Sequence, residues 1–200
     1  MKVVPASTGL PEALQVLKEG GVVAHATETC YGLACDLTNP NAVAKLFAIK
    51  QRPAHQPVSA LFSSMDQAKQ FVIWTDRAEE LARQYLPGPL TLILPLRADA
   101  PRTLLSCPEG SLTLGIRLSP HPTAIALVTQ FGSPISTTSA NVHGQPNPYS
   151  VEDMVKQFEE QEVMPDLILD DGILPPTPPS TIIDLTKEEQ TPLRKGEIKL

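Results

Sequence analysis

The sequence predicts a single α/β (α+β) domain built around a mixed, twisted β-sheet with flanking helices. Strand-type and helix-type segments are interleaved along the chain without a strict strand–helix–strand alternation. A chain of 200 residues suits one domain, and a hydrophobic content of 42% is enough for a buried core. No internal repeat or domain-sized linker interrupts the pattern, so we expect residues 1–200 to fold as one domain.

The helices are predicted from apolar periodicity combined with start and stop signals. Pro11 opens the first helix, Gly20 and Gly21 end it, and Asn39 caps the second. The predicted helices span residues 11–18, 41–50, 65–71, 77–85, 122–130 and 151–160.

The strands are predicted from short apolar runs bounded by glycine, proline or polar residues. Prolines number 21, and because they form no repeat they indicate loops, among them a turn at 87–89 and a rigid loop at 175–179. The predicted strands span residues 22–26, 58–62, 90–94, 112–118, 134–137, 166–169, 180–185 and 193–198.

Composition argues against several classes of protein. The chain has 16 Lys and Arg against 22 Asp and Glu, and its net charge of −6 opposes sequence-independent binding to nucleic-acid phosphates. Cys30, Cys35 and Cys107 are an odd number without zinc-ligand spacing, which favours a reducing compartment. No apolar run approaches the ~18 residues of a membrane span, so we expect a soluble, cytoplasmic protein.

Two cations stand at the predicted end of the second helix. Lys50 and Arg52 lie two residues apart, just before Pro53, which favours extended backbone. Together they could bind one anion, because arginine offers a planar fork and lysine a compact charge to phosphate oxygens. The alternative is an ordinary solvated helix C-terminus, where the helix dipole favours cations.

A polar turn follows the predicted strand 134–137. It contains Ser139 and Asn141 within the segment TTSANVHG. Ligands collect beyond the carboxyl ends of strands in open α/β sheets, so these two side chains could bind phosphate. They could equally satisfy backbone groups within the turn.

Two other predicted strands carry polar candidates. Thr29 follows the strand 22–26, in a segment that suits either a small polar ligand or an ordinary loop, and no neighbouring base would activate Cys30 or Cys35 as a nucleophile. Arg117 lies within a strand pattern, where a buried guanidinium needs a partner or a ligand carboxylate unless it faces solvent.

No metal site is predicted. The four histidines are scattered rather than spaced as ligands, and the sequence contains no Walker loop or dinucleotide fingerprint. Near the end of the chain, Ser180, Thr181 and Arg194 stand at strand boundaries as further candidate ligand contacts.

Seven sequence blocks, taken in order, resemble the YrdC-like family, whose best-known members are threonylcarbamoyl-AMP synthases. The blocks are ATETCYGLACD, KQRPAHQP, LPGPLTLILP, LTLGIRLSPHP, TTSANVHGQPNP, PPSTIIDL and LRKGEI. They cover residues 26–198, and the most specific part is Lys50-x-Arg52 together with Ser139-x-Asn141. The resemblance implies a twisted mixed sheet with a large concave, positively lined cavity.

The resemblance also implies a reaction. L-threonine and bicarbonate or CO₂ would form a carbamate that attacks the α-phosphate of ATP and expels pyrophosphate, with Mg²⁺ sharing the triphosphate charge. The product would pass to a downstream tRNA-modifying threonylcarbamoyl transferase complex, so tRNA is a partner only indirectly. The implied site comprises Lys50, Arg52, Ser139 and Asn141 for catalysis and phosphate binding; Gln56, Thr113, Asn147 and Arg194 for the nucleotide; and Thr29, Arg117, Thr137 and Ser180 for threonine, with Arg117 on its carboxylate.

Four positions depart from the family pattern. Ala26 stands in place of a proline, Gln56 of an asparagine, Leu61 of a histidine facing threonine, and His143 of a serine. Gln56 keeps an amide, whereas Leu61 cannot form a hydrogen bond. The chain also ends at Leu200 without the extra domain of longer relatives, so we expect the short, single-domain type.

Two alternatives to a synthase remain open at this point. One is an RNA-binding protein of the same fold, which the net charge of −6 disfavours. The other is a paralogue without synthase activity, which the retention of both the Lys-x-Arg and the Ser-x-Asn pair disfavours.

Overall fold

The computed structural model describes residues 1–100, 111–187 and 192–199. In these ranges the chain forms ten strands and six helices. The strands are β1 (Lys2–Pro5), β2 (Val23–Ala26), β3 (Tyr31–Ala34), β4 (Ser59–Leu61), β5 (Leu90–Pro95), β6 (Thr113–Arg117), β7 (Ile135–Ser139), β8 (Leu167–Asp170), β9 (Thr181–Asp184) and β10 (Pro192–Arg194). The helices are α1 (Ala6–Lys18), α2 (Pro40–Lys50), α3 (Met65–Lys69), α4 (Asp76–Tyr85), α5 (Pro122–Phe131) and α6 (Val151–Phe158).

The strands form one mixed sheet in the order β1-β8-β2-β3-β7-β4-β6-β5-β9-β10. The pairs β1–β8, β2–β8, β4–β6 and β5–β9 are parallel, and the other neighbours are antiparallel. Some neighbours are consecutive in the chain, such as β2 and β3, whereas others, such as β1 and β8 or β5 and β9, come from distant parts of it. The predicted mixed sheet is confirmed.

Helices pack on both faces of this sheet. On one face, α2, α4 and α6 bury apolar side chains such as Leu46, Leu81 and Phe158 against the strands. On the other face, α1 and α5 bury Leu17 and Leu127 in a second apolar cluster over β2 and β8. Among the described residues no helix is both long and apolar enough to span a bilayer.

Two strands were not predicted. β1 has three exposed residues among its four, so it lacks the buried alternation that identifies a strand. β3 has the opposite character, because all four of its residues are buried and one of them is Gly32. A polar loop was predicted there, which was wrong for residues 31–34.

Other predicted boundaries also differ from the structure. α1 begins at Ala6 and continues through Pro11, although a proline usually marks a helix start. β10 ends at Arg194, so the predicted strand 193–198 was too long. β7 extends to Ser139, two residues beyond the prediction, which places Ser139 at the end of a strand instead of in a turn.

Candidate functional site

The strand register places several polar side chains on one face of the sheet. Ser59 pairs with Thr137 on one side and with Gly115 on the other, and Arg117 lies two residues beyond Gly115. Side chains alternate between the two faces of a strand, so Ser59, Thr137 and Arg117 share a face with Leu61, which packs in the cluster beneath α1 and α5. This face is therefore apolar beneath the helices and polar beside them.

A cavity lies over the polar part of this face. Most of the residues predicted for the site line it: Thr29, Arg52, Arg117, Thr137, Ser139, Asn147, Ser180 and Arg194. Sequence reasoning missed other lining residues, among them Thr27, Gly32, Ser59 and Thr91. Alternation along β4 and β5 is the signal that would have identified Ser59 and Thr91, since both face away from the larger apolar core.

Helix α2 sets the position of the two predicted cations. Asn39 caps its start by accepting hydrogen bonds from the next turn, and Gln51 ends it in the left-handed conformation at φ 49°. Lys50 is only 2% exposed and does not line the cavity, whereas Arg52, beyond the turn, does. The structure thus separates the two cations of the Lys-x-Arg pair.

The Lys50 ammonium group is bound to the end of β7. Nζ donates to the main-chain oxygens of Ser139 at 2.5 Å and Asn141 at 2.8 Å, and to Asn141 Oδ1 at 3.0 Å. Burial, together with the nearby charge of Arg52, lowers the pKa of Lys50 to about 7. Lys50 therefore fixes the Ser-x-Asn segment from behind the cavity.

The Ser139-x-Asn141 segment is itself closed by hydrogen bonds. Ser139 Oγ donates to Asn141 Oδ1 at 2.6 Å, and Asn141 Nδ2 donates to the Gln145 carbonyl oxygen at 2.5 Å. Asn141 is buried and lies outside the cavity lining, so Ser139 is the member of this pair that lines the cavity.

Arg52 is oriented by the loop that follows it. Nε donates to the carbonyl oxygen of Gln56 and Nη2 to that of Pro57, both at 2.9 Å. Gln56 thus contacts the site through its main chain, and its side chain does not line the cavity.

Arg117 is the most deeply buried cation of the cavity wall. It is 4% exposed, and its Nη1 donates to the carbonyl oxygens of Gly88 at 2.5 Å and Leu90 at 3.1 Å. Nη2 pairs with the Glu28 carboxylate, whose other oxygen accepts a hydrogen bond from Ser119 Oγ. Burial lowers the pKa of Arg117, and Glu28 opposes that shift.

Glu28 and Ser119 were not predicted as part of the site. Glu28 lies between two threonines of the site segment, and a guanidinium within a strand requires a counter-charge. Those two features together could have identified Glu28 as the partner of Arg117.

The C-terminal segment closes the opposite wall. Arg194 donates from Nε to the Ser180 carbonyl oxygen at 2.9 Å and from Nη2 to Ser180 Oγ at 2.8 Å. Ser180 Oγ also lies 3.0 Å from Thr91 Oγ1. Thr181 instead holds the chain end, because its hydroxyl donates to the Ile198 carbonyl oxygen at 2.8 Å.

Thr113, which was predicted for the site, and Leu61 and His143, which depart from the family pattern, lie outside the cavity lining. Thr113 is at the far end of β6, where its hydroxyl is 3.2 Å from Ser111 Oγ. Leu61 is 1% exposed within the apolar cluster, and the main-chain N–H of His143 donates to the Lys50 carbonyl oxygen at 2.8 Å. Cys107 lies outside the described residues.

Cys30 lines the cavity, but burial raises the pKa of its thiol to about 11, so it is protonated at neutral pH. Among the described residues no cluster of three or more His, Cys, Asp or Glu could hold a metal ion.

Comparison with known proteins identifies similar chains. A family model, Sua5_yciO_yrdC, described as "Telomere recombination", matches residues 15–196. The threonylcarbamoyl-AMP synthase of Pyrococcus abyssi is 35% identical over 188 residues, which are 92% of this chain and 53% of that protein. The threonylcarbamoyl-AMP synthase of Vibrio cholerae is 36% identical over 156 residues, or 76% of this chain and 81% of that protein.

A solved structure provides a further match. The crystal structure of P. abyssi Sua5 complexed with L-threonine superposes with a TM-score of 0.83 at 34% identity, covering 94% of this chain and 54% of that one. The chain thus spans about half the length of its archaeal relative and most of the length of its bacterial one.

Proposed function

The chain belongs to the Sua5/YciO/YrdC family, and from this premise we propose that it synthesises threonylcarbamoyl-AMP from L-threonine, bicarbonate or CO₂, and ATP. The relatives that carry this name support the proposal, as does the L-threonine bound to a structural neighbour. The reaction makes the protein a transferase, and we assign it to the nucleotidyltransferases because the nucleoside monophosphate is transferred to a carbamate oxygen.

One observation carries the proposal. Arg52, Arg117 and Arg194 come from three distant parts of the chain and line one cavity whose other walls are mostly hydroxyl groups. Each donates to main-chain carbonyl oxygens that orient its guanidinium, and Arg117 is also paired with the Glu28 carboxylate. Three oriented cations in one small space suit a reaction whose substrates are a carboxylate, a carbonate and a triphosphate.

We assign the amino-acid half of the cavity to the region around Arg117. A guanidinium fork binds a carboxylate with defined orientation, and Arg117 is held rigidly for this role. Thr29, Thr137 and Ser180 line the same cavity and offer hydroxyl groups to the amine and side chain of threonine.

We assign the nucleotide half to the region around Arg52 and Ser139. The chemical step joins a carbamate oxygen to the α-phosphorus and breaks the bond from that phosphorus to the oxygen of pyrophosphate. The protein then has to hold the two oxygens in line and neutralise the developing charge. We propose that Arg52 and Ser139 do so directly, that Lys50 and Asn141 act by fixing Ser139, and that Asn147 and Arg194 contact the nucleotide.

Gln56 and Thr113 remain proposed nucleotide contacts with less support, since neither lines the cavity. A nucleotide that extends beyond the cavity mouth would be needed to reach either side chain.

Mg²⁺ enters this proposal as part of the substrate. No carboxylate is among the described lining residues, and a carboxylate is the usual protein ligand for this ion. We therefore propose that the ion arrives on the triphosphate oxygens of MgATP.

We further propose that the protein works in the cytoplasm and passes its product to a tRNA-modifying threonylcarbamoyl transferase complex. The thiols of Cys30 and Cys35 are both free, which suits a reducing compartment. Threonylcarbamoyl-AMP is a mixed anhydride of a carbamate and a phosphate. Because water hydrolyses such a compound, it has to reach its acceptor soon after release.

The experiment that tests the function measures pyrophosphate release from MgATP. We expect release to require both L-threonine and bicarbonate. If threonine has no effect while circular dichroism shows a folded protein, the synthase assignment is wrong. Salt-sensitive RNA binding by the same sample, without turnover, would then favour the RNA-binding alternative.

A further inference from the structure

Arg117 and Glu28 differ in their relation to the cavity. Arg117 lines the cavity, whereas Glu28 does not and contacts Arg117 from outside the lining. The side chain of Arg117 is 5% exposed and that of Glu28 is 17% exposed, so the ion pair is largely removed from water. A ligand in the cavity therefore meets the guanidinium and not the carboxylate that is paired with it.

Glu28 is held at both of its oxygens. One accepts from Arg117, and the other accepts from Ser119 Oγ, which in turn accepts the main-chain N–H of His121 at 3.2 Å. His121 is the N-cap residue of α5, so the carboxylate is anchored to the start of that helix. An anchored carboxylate of this kind limits the rotation of the guanidinium that it contacts.

The donor groups of Arg117 divide between structure and ligand. A guanidinium has five N–H donors. Gly88, Leu90 and Glu28 take three of them, and within the described residues Nε donates to no protein acceptor. Two donors thus remain for a carboxylate in the cavity, provided that the guanidinium is kept in this orientation.

We propose that Glu28 is a positioning residue for amino-acid recognition: it holds Arg117 so that the remaining donors bind the substrate carboxylate. This inference rests on the proposed function and adds to it a residue whose own side chain does not reach the substrate. Glu28 then determines affinity for the amino acid, with little effect on the nucleotide half of the cavity.

The test is steady-state pyrophosphate release, with L-threonine and MgATP titrated separately. We expect Glu28→Gln to raise the KM for threonine at least tenfold and to change the KM for ATP less than twofold. Glu28→Asp, which restores the charge on a shorter stem, should recover part of the threonine affinity. The control is Glu12→Gln, the same substitution in the exposed pair with Lys2, which should change neither constant.

Glu28→Gln leaves Arg117 without a counter-charge and could prevent folding, so Ser119→Ala is the second variant. It removes one anchor of Glu28 and keeps the ion pair, and we expect a three- to tenfold higher KM for threonine with the KM for ATP retained. An unchanged KM for threonine in the folded variants, or equal increases in the KM values for threonine and ATP, would overturn the proposed role of Glu28 and leave the proposed function intact. Absence of threonine-dependent turnover in the wild-type protein would overturn the proposed function and this inference with it.

Discussion

Lys50 Nζ is bonded to Asn141 twice, at 2.8 Å to its main-chain oxygen and at 3.0 Å to its side-chain oxygen. This contact joins the end of helix α2 to the chain just after strand β7. Ser139 is the last residue of β7 and lines the cavity, and its main-chain oxygen also accepts from Lys50, so its position depends on a side chain that does not reach the cavity itself.

Removal of the Lys50 ammonium group should reduce stability as well as activity. Lys50→Met keeps the apolar stem but removes the donor that Lys50 supplies to the main-chain oxygens of Ser139 and Asn141, at a cost of about 1–3 kcal/mol, whereas Asn141 Oδ1 keeps its bond from Ser139 Oγ. Urea denaturation measures the loss, and pyrophosphate release measures turnover. Arg52→Met should instead reduce turnover with a smaller change in stability, because Arg52 is half-buried at the cavity wall.

The matched control for Lys50 is Lys156→Met. Lys156 forms an exposed ion pair with Glu152, and loss of such a pair costs at most ~1 kcal/mol. If Lys50→Met were as stable as this control, the ammonium group would have no part in fixing Ser139.

Arg117→Lys should be far more damaging than conservation of charge suggests. A single ammonium group cannot replace a fork that contacts Gly88, Leu90 and Glu28 at the same time. We expect a loss of about 2 kcal/mol in the free energy of unfolding, from acceptors left without donors, and a large increase in the KM for threonine. Arg83→Lys, in an exposed pair with Glu79, is the control that should change neither quantity.

His25 should make the protein less stable in acid. It is fully buried, and among the described residues its Nε2 has no hydrogen-bond partner. Burial is the main cause that lowers the pKa of His25 from 6.5 to about 4; the hydrogen bond with Ala26 opposes this shift, and nearby His121 adds to it. In the unfolded chain this histidine takes up a proton below pH 6.5, whereas the folded protein keeps it neutral to about pH 4.

The unfolded state therefore binds more protons between these two pH values, and stability falls as the pH drops from 6.5 to 4. Protonation of His25 accounts for about 3 kcal/mol of this loss of stability, and the loss is absent above pH 6.5. Urea midpoints measured from pH 4 to 8 test the prediction. His25→Phe should flatten the slope, and an identical slope in that variant would assign the acid sensitivity to other groups.

Gly196→Ala should reduce activity through Arg194. A Cβ at position 196 would clash with the Pro179 carbonyl oxygen and lie 2.6 Å from the Ser180 backbone, so the segment would have to move. Arg194, two residues earlier, contacts Ser180 and would move with it. We expect a higher KM for ATP, and Lys195→Ala, in the same exposed segment, should leave that constant unchanged.

Much of this architecture could be predicted from the sequence because it depends on local signals. Asn39 and Pro40 mark the start of α2, and alternation in β5 identifies a strand with one polar position, Thr91. Eight of the residues that line the cavity were predicted, and a family resemblance, which already contains tertiary information, assigned them to one site.

The parts of the fold and of the site that could not be predicted depend on contacts between distant segments. Glu28 and Arg117 are 89 positions apart, and nothing local to either residue shows that they form a pair. Lys50 and Arg52 look equivalent in sequence, but the left-handed turn at Gln51 sends only Arg52 to the cavity. β3 is buried on both faces and so lost the alternation by which a strand is recognised.

The order of the strands has a consequence for synthesis of the protein. β5 pairs with β9, which places Thr91 beside Ser180, and Ser180 is in turn contacted by Arg194. Bringing β5 and β9 together closes a long segment of chain, and this costs chain entropy before any contact compensates for it. Sheets whose strands pair over long sequence separations fold slowly. A nascent chain therefore has no complete cavity until β9 and β10 have left the ribosome, and substrates can stabilise the fold only from that point on.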